Sequence, residues 1–94
     1  MVRAIIRQKI RGAKPDNFQE VLFELEFNPP FPPFVGIGIR AATTTFSTVV
    51  TAVQYILAED LYLCFTEPLL LGPQDPPMAQ IISEFEVSGY RMVN

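Results

Sequence analysis

The sequence predicts an α+β fold of two layers, in which one helix packs on a mostly antiparallel sheet of about five strands, in the order β-β-β-α-β-β. Two stretches near the N-terminus alternate apolar and charged residues with the period of a half-buried strand. A central stretch repeats apolar residues at helical spacing. The 94 residues are expected to form a single domain, 1–94, around one small core.

The first two strands are predicted from VRAIIRQKIR (2–11) and EVLFELEF (20–27), which alternate over most of their length. An antiparallel pairing whose residue numbers sum to 31 sets Arg7 opposite Glu24, and a sum of 33 sets it opposite Glu26. Both registers place apolar residues opposite apolar residues and join opposite charges. The sequence therefore predicts a hairpin and leaves these two registers open.

A proline-rich stretch, NPPFPPF (28–34), follows the second strand. Proline cannot donate to a β-ladder, so the stretch is expected to end the strand and run extended toward a third strand in FVGIGIRA (34–41). We interpret it as a stiff crossover whose Phe31 and Phe34 fill the edge of the core. The alternative is a proline-rich ligand for an aromatic-lined groove.

A helix is predicted in TTTFSTVVTAVQYILAED (43–60), because apolar residues recur there at helical spacing. These residues are Phe46, Val49, Val50, Val53 and Leu57. A short strand is predicted at LYLCF (61–65), and a long one in AQIISEFEVSGYRMV (79–93), where alternation continues over most of the stretch. The predicted core comprises Phe23, Leu25, Val50, Val53, Leu63 and Phe85.

Charge and composition limit the classes of partner. The net charge is −3 with seven basic residues, which argues against a nucleic-acid partner because phosphate backbones require an excess of basic residues. Residues 41–58 contain six Ser or Thr and one Gln, so we expect no membrane span there. Cys64 cannot form an internal disulfide, and the N-terminus lacks an apolar run of signal-peptide length, which together favour a cytoplasmic protein.

No catalytic, cofactor-binding or metal-binding residue is predicted, and an enzyme is not favoured. The chain contains no histidine, which removes the common nucleophile–base pairs and histidine metal sites. The carboxylate pairs Glu24 with Glu26 and Glu84 with Glu86 are expected to face outward beside basic residues. A small-molecule ligand is kept as the alternative, and no cofactor is indicated.

The favoured function is a small, non-enzymatic homo-oligomeric domain, acting as an interaction or structural subunit. The outer face of the predicted helix carries no charge, which is unusual for a helix facing water. We expect a dimer that uses this face. The predicted interface residues are Thr48, Thr51, Ala52 and Tyr55. The alternative is a small-molecule-binding protein or enzyme with an apolar pocket between helix and sheet, under the proline-rich loops. The predicted pocket residues are Phe31, Phe34, Arg40 and Tyr62.

Overall fold

Strand β1 (Ala4–Arg11) runs through the middle of one curled, mixed sheet. The structure, a computed structural model, describes residues 2–12, 20–40, 47–72 and 74–93. Within these ranges the sheet has seven strands in the spatial order β3-β4-β5-β1-β2-β7, and β6 pairs with β1 beyond the end of β5. The remaining elements are β2 (Glu20–Phe27), β3 (Gly38–Arg40), β4 (Ser47–Ile56), a 3₁₀ turn (Leu57–Glu59), β5 (Leu61–Thr66), β6 (Leu69–Leu70), α1 (Met78–Val87) and β7 (Arg91–Met92).

The predicted fold class is therefore wrong. The chain is mostly sheet, β1 pairs in parallel with β5 and β6, and the one helix among the described residues precedes the last strand instead of lying in the middle of the chain. Two segments exchange their predicted structures: the expected helix is a strand, and most of the expected last strand is a helix.

The β1–β2 hairpin is confirmed, with the register that sums to 31. Arg7 lies opposite Glu24, and its Nε donates to Glu24 Oε1 over 2.9 Å. Glu20 accepts from both Arg11 and Lys9, and these hydrogen bonds hold the pKa of Glu20 below its ordinary value. The outer face of the hairpin is thus covered by paired charges, as its alternation predicted.

Residues 47–56 form strand β4 because six of its ten residues are β-branched, which favours an extended backbone. A β-bulge between Val50 and Ala52 shifts the alternation by one residue. Val50 and Val53 consequently both face the core, and this spacing of three imitated a helical period. Phe46 and the threonines at 43–45, expected to begin the helix, lie outside the described residues.

Residues 78–87 form helix α1 because Ile81 and Phe85, spaced by four, are buried together. The helix ends in a Schellman motif, in which Gly89 adopts a φ of +99°, Gly89 N–H donates to Glu86 and Tyr90 N–H donates to Phe85. The accompanying apolar contact joins Tyr90 to Phe85, with ring centroids 4.8 Å apart. This turn returns the chain to β7, which pairs with β2.

The core lies between the concave face of the sheet and α1. Four of the six predicted core residues are buried (Phe23, Val50, Leu63 and Phe85), while Leu25 and Val53 are half-buried. A buried glutamine, Gln8, lies where β5 gives way to β6. Its Nε2 donates to the carbonyls of Lys9 and Glu67, and its Oε1 accepts from Thr66 Oγ. Gln8 therefore links β1 to the junction between β5 and β6, the two strands that pair with β1 in parallel.

Candidate functional site

The first candidate surface is the side of β4 that faces away from β5. Strand β3 covers only the beginning of this side, pairing with Ser47–Val49. Two further backbone bonds reach Val50: Gly36 N–H donates to its carbonyl over 2.8 Å, and its own N–H donates to Ile37 over 2.9 Å. Gly36 has a φ of +97°, the left-handed conformation that glycine permits, and the chain turns there. Among the described residues, none pairs with Thr51–Ile56 on this side. We call Thr51–Ile56 the open edge.

The open edge has the character of a strand that accepts another strand. Thr51, Ala52, Gln54 and Tyr55 are exposed, and the six residues include no charge, proline or glycine. Proteins usually protect exposed edges with charged residues, proline or a short strand. The outer side of β2 is protected in this way, since β7 covers part of it and its residues include Glu24 and Glu26.

Exposed apolar side chains concentrate on β4, on the turn after it and on the connector that leads to β3. The described residues include ten large apolar side chains that are exposed, and six of them lie on β4, on the turn after it or on the connector that leads to β3. A concentration of exposed apolar surface is typical of an interaction site. The six are Phe31, Phe34, Val35, Val49, Tyr55 and Leu57.

The structure separates the four predicted interface residues. Thr48 is buried, its Oγ1 donates to the carbonyl of Ile39, and its side chain interacts with Tyr90 across the core. Thr51 lies in the bulge, and Ala52 points to the outer face of the sheet. Tyr55 points to the opposite face, where its ring packs against the ring of Tyr62. Three of the four thus lie on the open edge, although the helix face on which they were placed does not exist.

The second candidate surface is an open groove of about 530 Å³ at the end of the sheet. We call it the proline groove. It is not the predicted pocket between helix and sheet, where Phe23 and Phe85 stack directly on one another. It lies beside the start of β1, the end of β2 and the turn before β5. Its lining residues are Val2, Arg3, Asn28, Pro29, Pro30, Asp60 and Tyr62.

Of the four predicted pocket residues, Tyr62 lines the proline groove. Phe31 and Phe34 lie near each other, with ring centroids 6.1 Å apart, but they are exposed and do not fill the edge of the core. The buried residue of the connector is instead Pro33. Arg40 pairs with Ser47 at the beginning of β4, whereas the groove lies near the end of that strand.

Hydrogen bonds fix the groove's polar side chains. Asp60 adopts a left-handed backbone with a φ of 51°, and its Oδ1 accepts from the Tyr55 hydroxyl over 2.6 Å. This hydrogen bond raises the pKa of Tyr55 above its ordinary value. Arg3 donates to the Glu59 carbonyl and to Glu26 Oε1. The groove is therefore formed by side chains whose positions are held before any ligand binds.

The Asn28 amide also takes part, because its Nδ2 donates to the carbonyl of Val2 over 3.0 Å. Tyr62 N–H donates to the carbonyl of Arg3, which joins the two strands at the groove floor. The ring of Tyr62 lies 4.9 Å from the ring of Tyr55.

Reactive groups offer little chemistry elsewhere. Cys64 is buried, and burial raises the pKa of its thiol, so the nucleophilic thiolate is disfavoured. Glu24 is paired with both Arg7 and Arg91. Within the described ranges, no group of three or more Cys, Asp or Glu side chains is placed to hold a metal ion. None of the described helical segments has the length and apolar character needed to cross a membrane.

Asp60 and Asn28 were missed by the sequence analysis. The signal for Asp60 was the AED triplet between two β-rich stretches, since Asp tolerates the left-handed conformation of a tight turn. The signal for Asn28 was weaker, because the asparagine before two prolines indicates only the end of a strand.

No protein-family model, curated protein or solved structure matches this chain significantly.

Proposed function

We propose that this chain is a small, homo-oligomeric interaction domain in which the open edge of β4 pairs with the open edge of a second copy. The observation that carries the proposal is the uncharged run Thr51–Ile56, whose outward backbone groups have no partner among the described residues and lie beside exposed apolar side chains. A strand that adds to such an edge satisfies those groups and extends the sheet.

The second copy is the favoured partner because the open edge is self-complementary. A two-fold axis perpendicular to the sheet pairs the edge with itself in antiparallel orientation. In such a pair, residues that lie directly opposite each other on the two strands must point to the same face of the sheet. The two-fold axis then passes between the two copies of Val53 or between the two copies of Gln54. The first choice sets Gln54 opposite the partner's Ala52, and these two residues lie on the same face. Neither register brings two like charges together, since the edge carries none.

Side chains flanking the open edge would add area to the pairing. Val35 is 63 % exposed beside Gly36, which bonds to the residue preceding the edge, and Leu57 is 81 % exposed immediately after the edge. A specific dimer should bury more than about 1,000 Å² in total. A cytoplasmic setting belongs to the same proposal and is supported by Cys64, the chain's only cysteine, which is buried.

Light scattering after gel filtration, over a series of protein concentrations, tests the proposal. We expect a dimer at tens of micromolar for the wild type. Gln54→Lys should shift the protein to a monomer, because lysine on an edge opposes strand pairing. Ser47→Lys is the matched control: it adds the same charge to the same strand, where β3 covers the edge, and should leave the dimer intact. A wild-type monomer would overturn the proposal, and equal loss in both variants would overturn the choice of edge.

Cysteine crosslinking identifies the register. Opposite residues of an antiparallel pair have Cα atoms about 4.5 to 5.5 Å apart, within the range that a disulfide spans. In a Cys64→Ser background, Gln54→Cys or Val53→Cys should give a covalent dimer under mild oxidation, whereas Val49→Cys should not. Absence of crosslinking at both edge positions would contradict edge pairing even if the protein is dimeric.

A further inference from the structure

The proline groove has a charge balance that favours a cation. Two carboxylates lie on or next to it, those of Asp60 and of Glu26, which accepts from Arg3, and Arg3 is the one basic side chain among its lining residues. Arg3 is already engaged, since its two terminal nitrogens donate to Glu26 and to the Glu59 carbonyl. The whole chain also has a net charge of −3, which adds to the attraction of a cationic ligand.

Two acceptor atoms in the groove remain available. Asp60 uses Oδ1 for Tyr55, and Asn28 uses its Nδ2 for the Val2 carbonyl. Within the part of the chain that the structure describes, Asp60 Oδ2 and Asn28 Oδ1 accept no hydrogen bond from the protein. These two atoms favour a ligand that donates hydrogen bonds. The Tyr55 bond holds the Asp60 carboxylate in place, which reduces the entropy lost when a donor binds.

The apolar lining determines what kind of donor fits. Tyr62, Pro29, Pro30 and Val2 offer an aromatic ring and aliphatic surface beside the two acceptors. A guanidinium group is planar, stacks on an aromatic ring and donates several hydrogen bonds in one plane, whereas an ammonium is compact and strongly hydrated. The groove is open to solvent, so a guanidinium group that belongs to another molecule can enter it.

We propose that the proline groove binds an arginine side chain presented by an extended segment of a partner protein. The guanidinium pairs with the Asp60 carboxylate and donates to Asn28 Oδ1, while its plane stacks on the Tyr62 ring. The aliphatic stem of the arginine lies along Pro29 and Pro30. This site adjoins the open edge, since Tyr55 bonds to Asp60, but no residue of the open edge lines it, and the proposal does not rest on the proposed dimer.

The test uses two blocked tripeptides, acetyl-Pro-Arg-Pro-amide and its citrulline counterpart, which keeps the shape and removes the charge. Binding is followed by amide chemical shifts of the full chain in a two-dimensional NMR titration. We expect saturable shifts at Asp60 and Tyr62 with the arginine peptide, and at least tenfold weaker binding of the citrulline peptide. Acetyl-arginine-amide is a third probe: binding at least as tight as the tripeptide's would overturn the extended segment as the source of the guanidinium.

Asp60→Asn is the decisive variant. Asparagine tolerates the left-handed backbone and keeps an oxygen that accepts from Tyr55, so the turn is retained while the negative charge is lost. It should weaken the arginine peptide at least tenfold. Glu86→Gln removes a charge from the exposed surface of α1 and should leave binding unchanged. Equal affinity for both tripeptides, unchanged affinity in Asp60→Asn, or the absence of saturable shifts in the wild type would each overturn the proposal.

Discussion

The ring of Phe23 on β2 stacks against the ring of Phe85 on α1, with centroids 5.3 Å apart and planes inclined by 18°. Tyr90 contacts both rings edge-on and is itself buried, which raises the pKa of its hydroxyl. Three aromatic rings from β2, from the helix and from the turn after it thus form one cluster. This cluster attaches the helix to the sheet.

Replacing Phe85 with alanine should therefore lower the free energy of unfolding by about 3 to 5 kcal/mol, since it removes a buried ring and leaves a cavity against Phe23. Urea unfolding followed by circular dichroism measures the loss. Val87→Ala serves as the control, because this side chain is on the same helix and 72 % exposed, and its effect should stay within about 0.5 kcal/mol. Equal effects of the two variants would contradict the packing of α1 on the sheet.

Gln8→Leu should lower the free energy of unfolding by about 1 to 3 kcal/mol, although leucine is the more apolar residue. The glutamine satisfies the carbonyls of Lys9 and Glu67, and leucine satisfies neither, whereas the Thr66 hydroxyl keeps the Arg7 carbonyl as an acceptor. The same substitution at Gln80, which is exposed on α1, is the control. A Gln8→Leu protein as stable as the wild type would show that these groups find other partners.

The contribution of the Tyr55–Asp60 hydrogen bond to the free energy of unfolding should be lost at alkaline pH. Because the bond raises the pKa of Tyr55 above its value in the unfolded chain, its contribution is complete below that ordinary value, near 10. It is lost as pH rises through the raised pKa, where the phenol ionises. Carbon-13 shifts of the tyrosine rings, followed against pH, report each residue separately.

Asp60→Gly removes the carboxylate and keeps a residue that permits the left-handed turn. The pKa of Tyr55 should then fall toward its ordinary value, while Glu59→Gln, one residue away, should change it little. If Asp60→Gly left the titration of Tyr55 unaltered, the hydrogen bond could not be the cause of the shift.

Local sequence patterns correctly predicted the hairpin of β1 and β2 and the short strand β5. The alternation of β1 and β2 was sufficient for the hairpin, and the pairing of Arg7 with Glu24 corresponds to one of its two predicted registers. The apolar character of LYLCF was sufficient for β5. These predictions succeed because an apolar period of two residues indicates a β-strand wherever the side chains alternate regularly between the two faces.

The alternation of side chains between the two faces breaks at Thr51, and for this reason a helix was wrongly predicted where β4 lies. The bulge puts Val50 and Val53 on the same side, so the sequence shows a helical spacing within a strand. A bulge forms because of the partner strand, here β5, and is not visible in β4 alone. The high content of β-branched residues is the local signal that favours a strand here.

The helix α1 illustrates the opposite error. Alternation in AQIISEFEVSGYRMV is real, but Ile81, Phe85 and the Ser88-Gly89-Tyr90 ending also fit a helix with a Schellman motif. The proline pair before Met78 suits a helix start as well.

The sequence by itself determined a single small core, a charge-paired N-terminal hairpin and an uncharged stretch around Thr51 and Tyr55. These depend on composition and on contacts between neighbouring strands. Only the tertiary structure decided that β1 pairs in parallel with β5, that α1 covers Phe23, and that Asp60, Asn28 and Tyr62 meet in one groove. Such contacts join residues more than thirty positions apart, and their energy comes from packing that no local window of sequence contains.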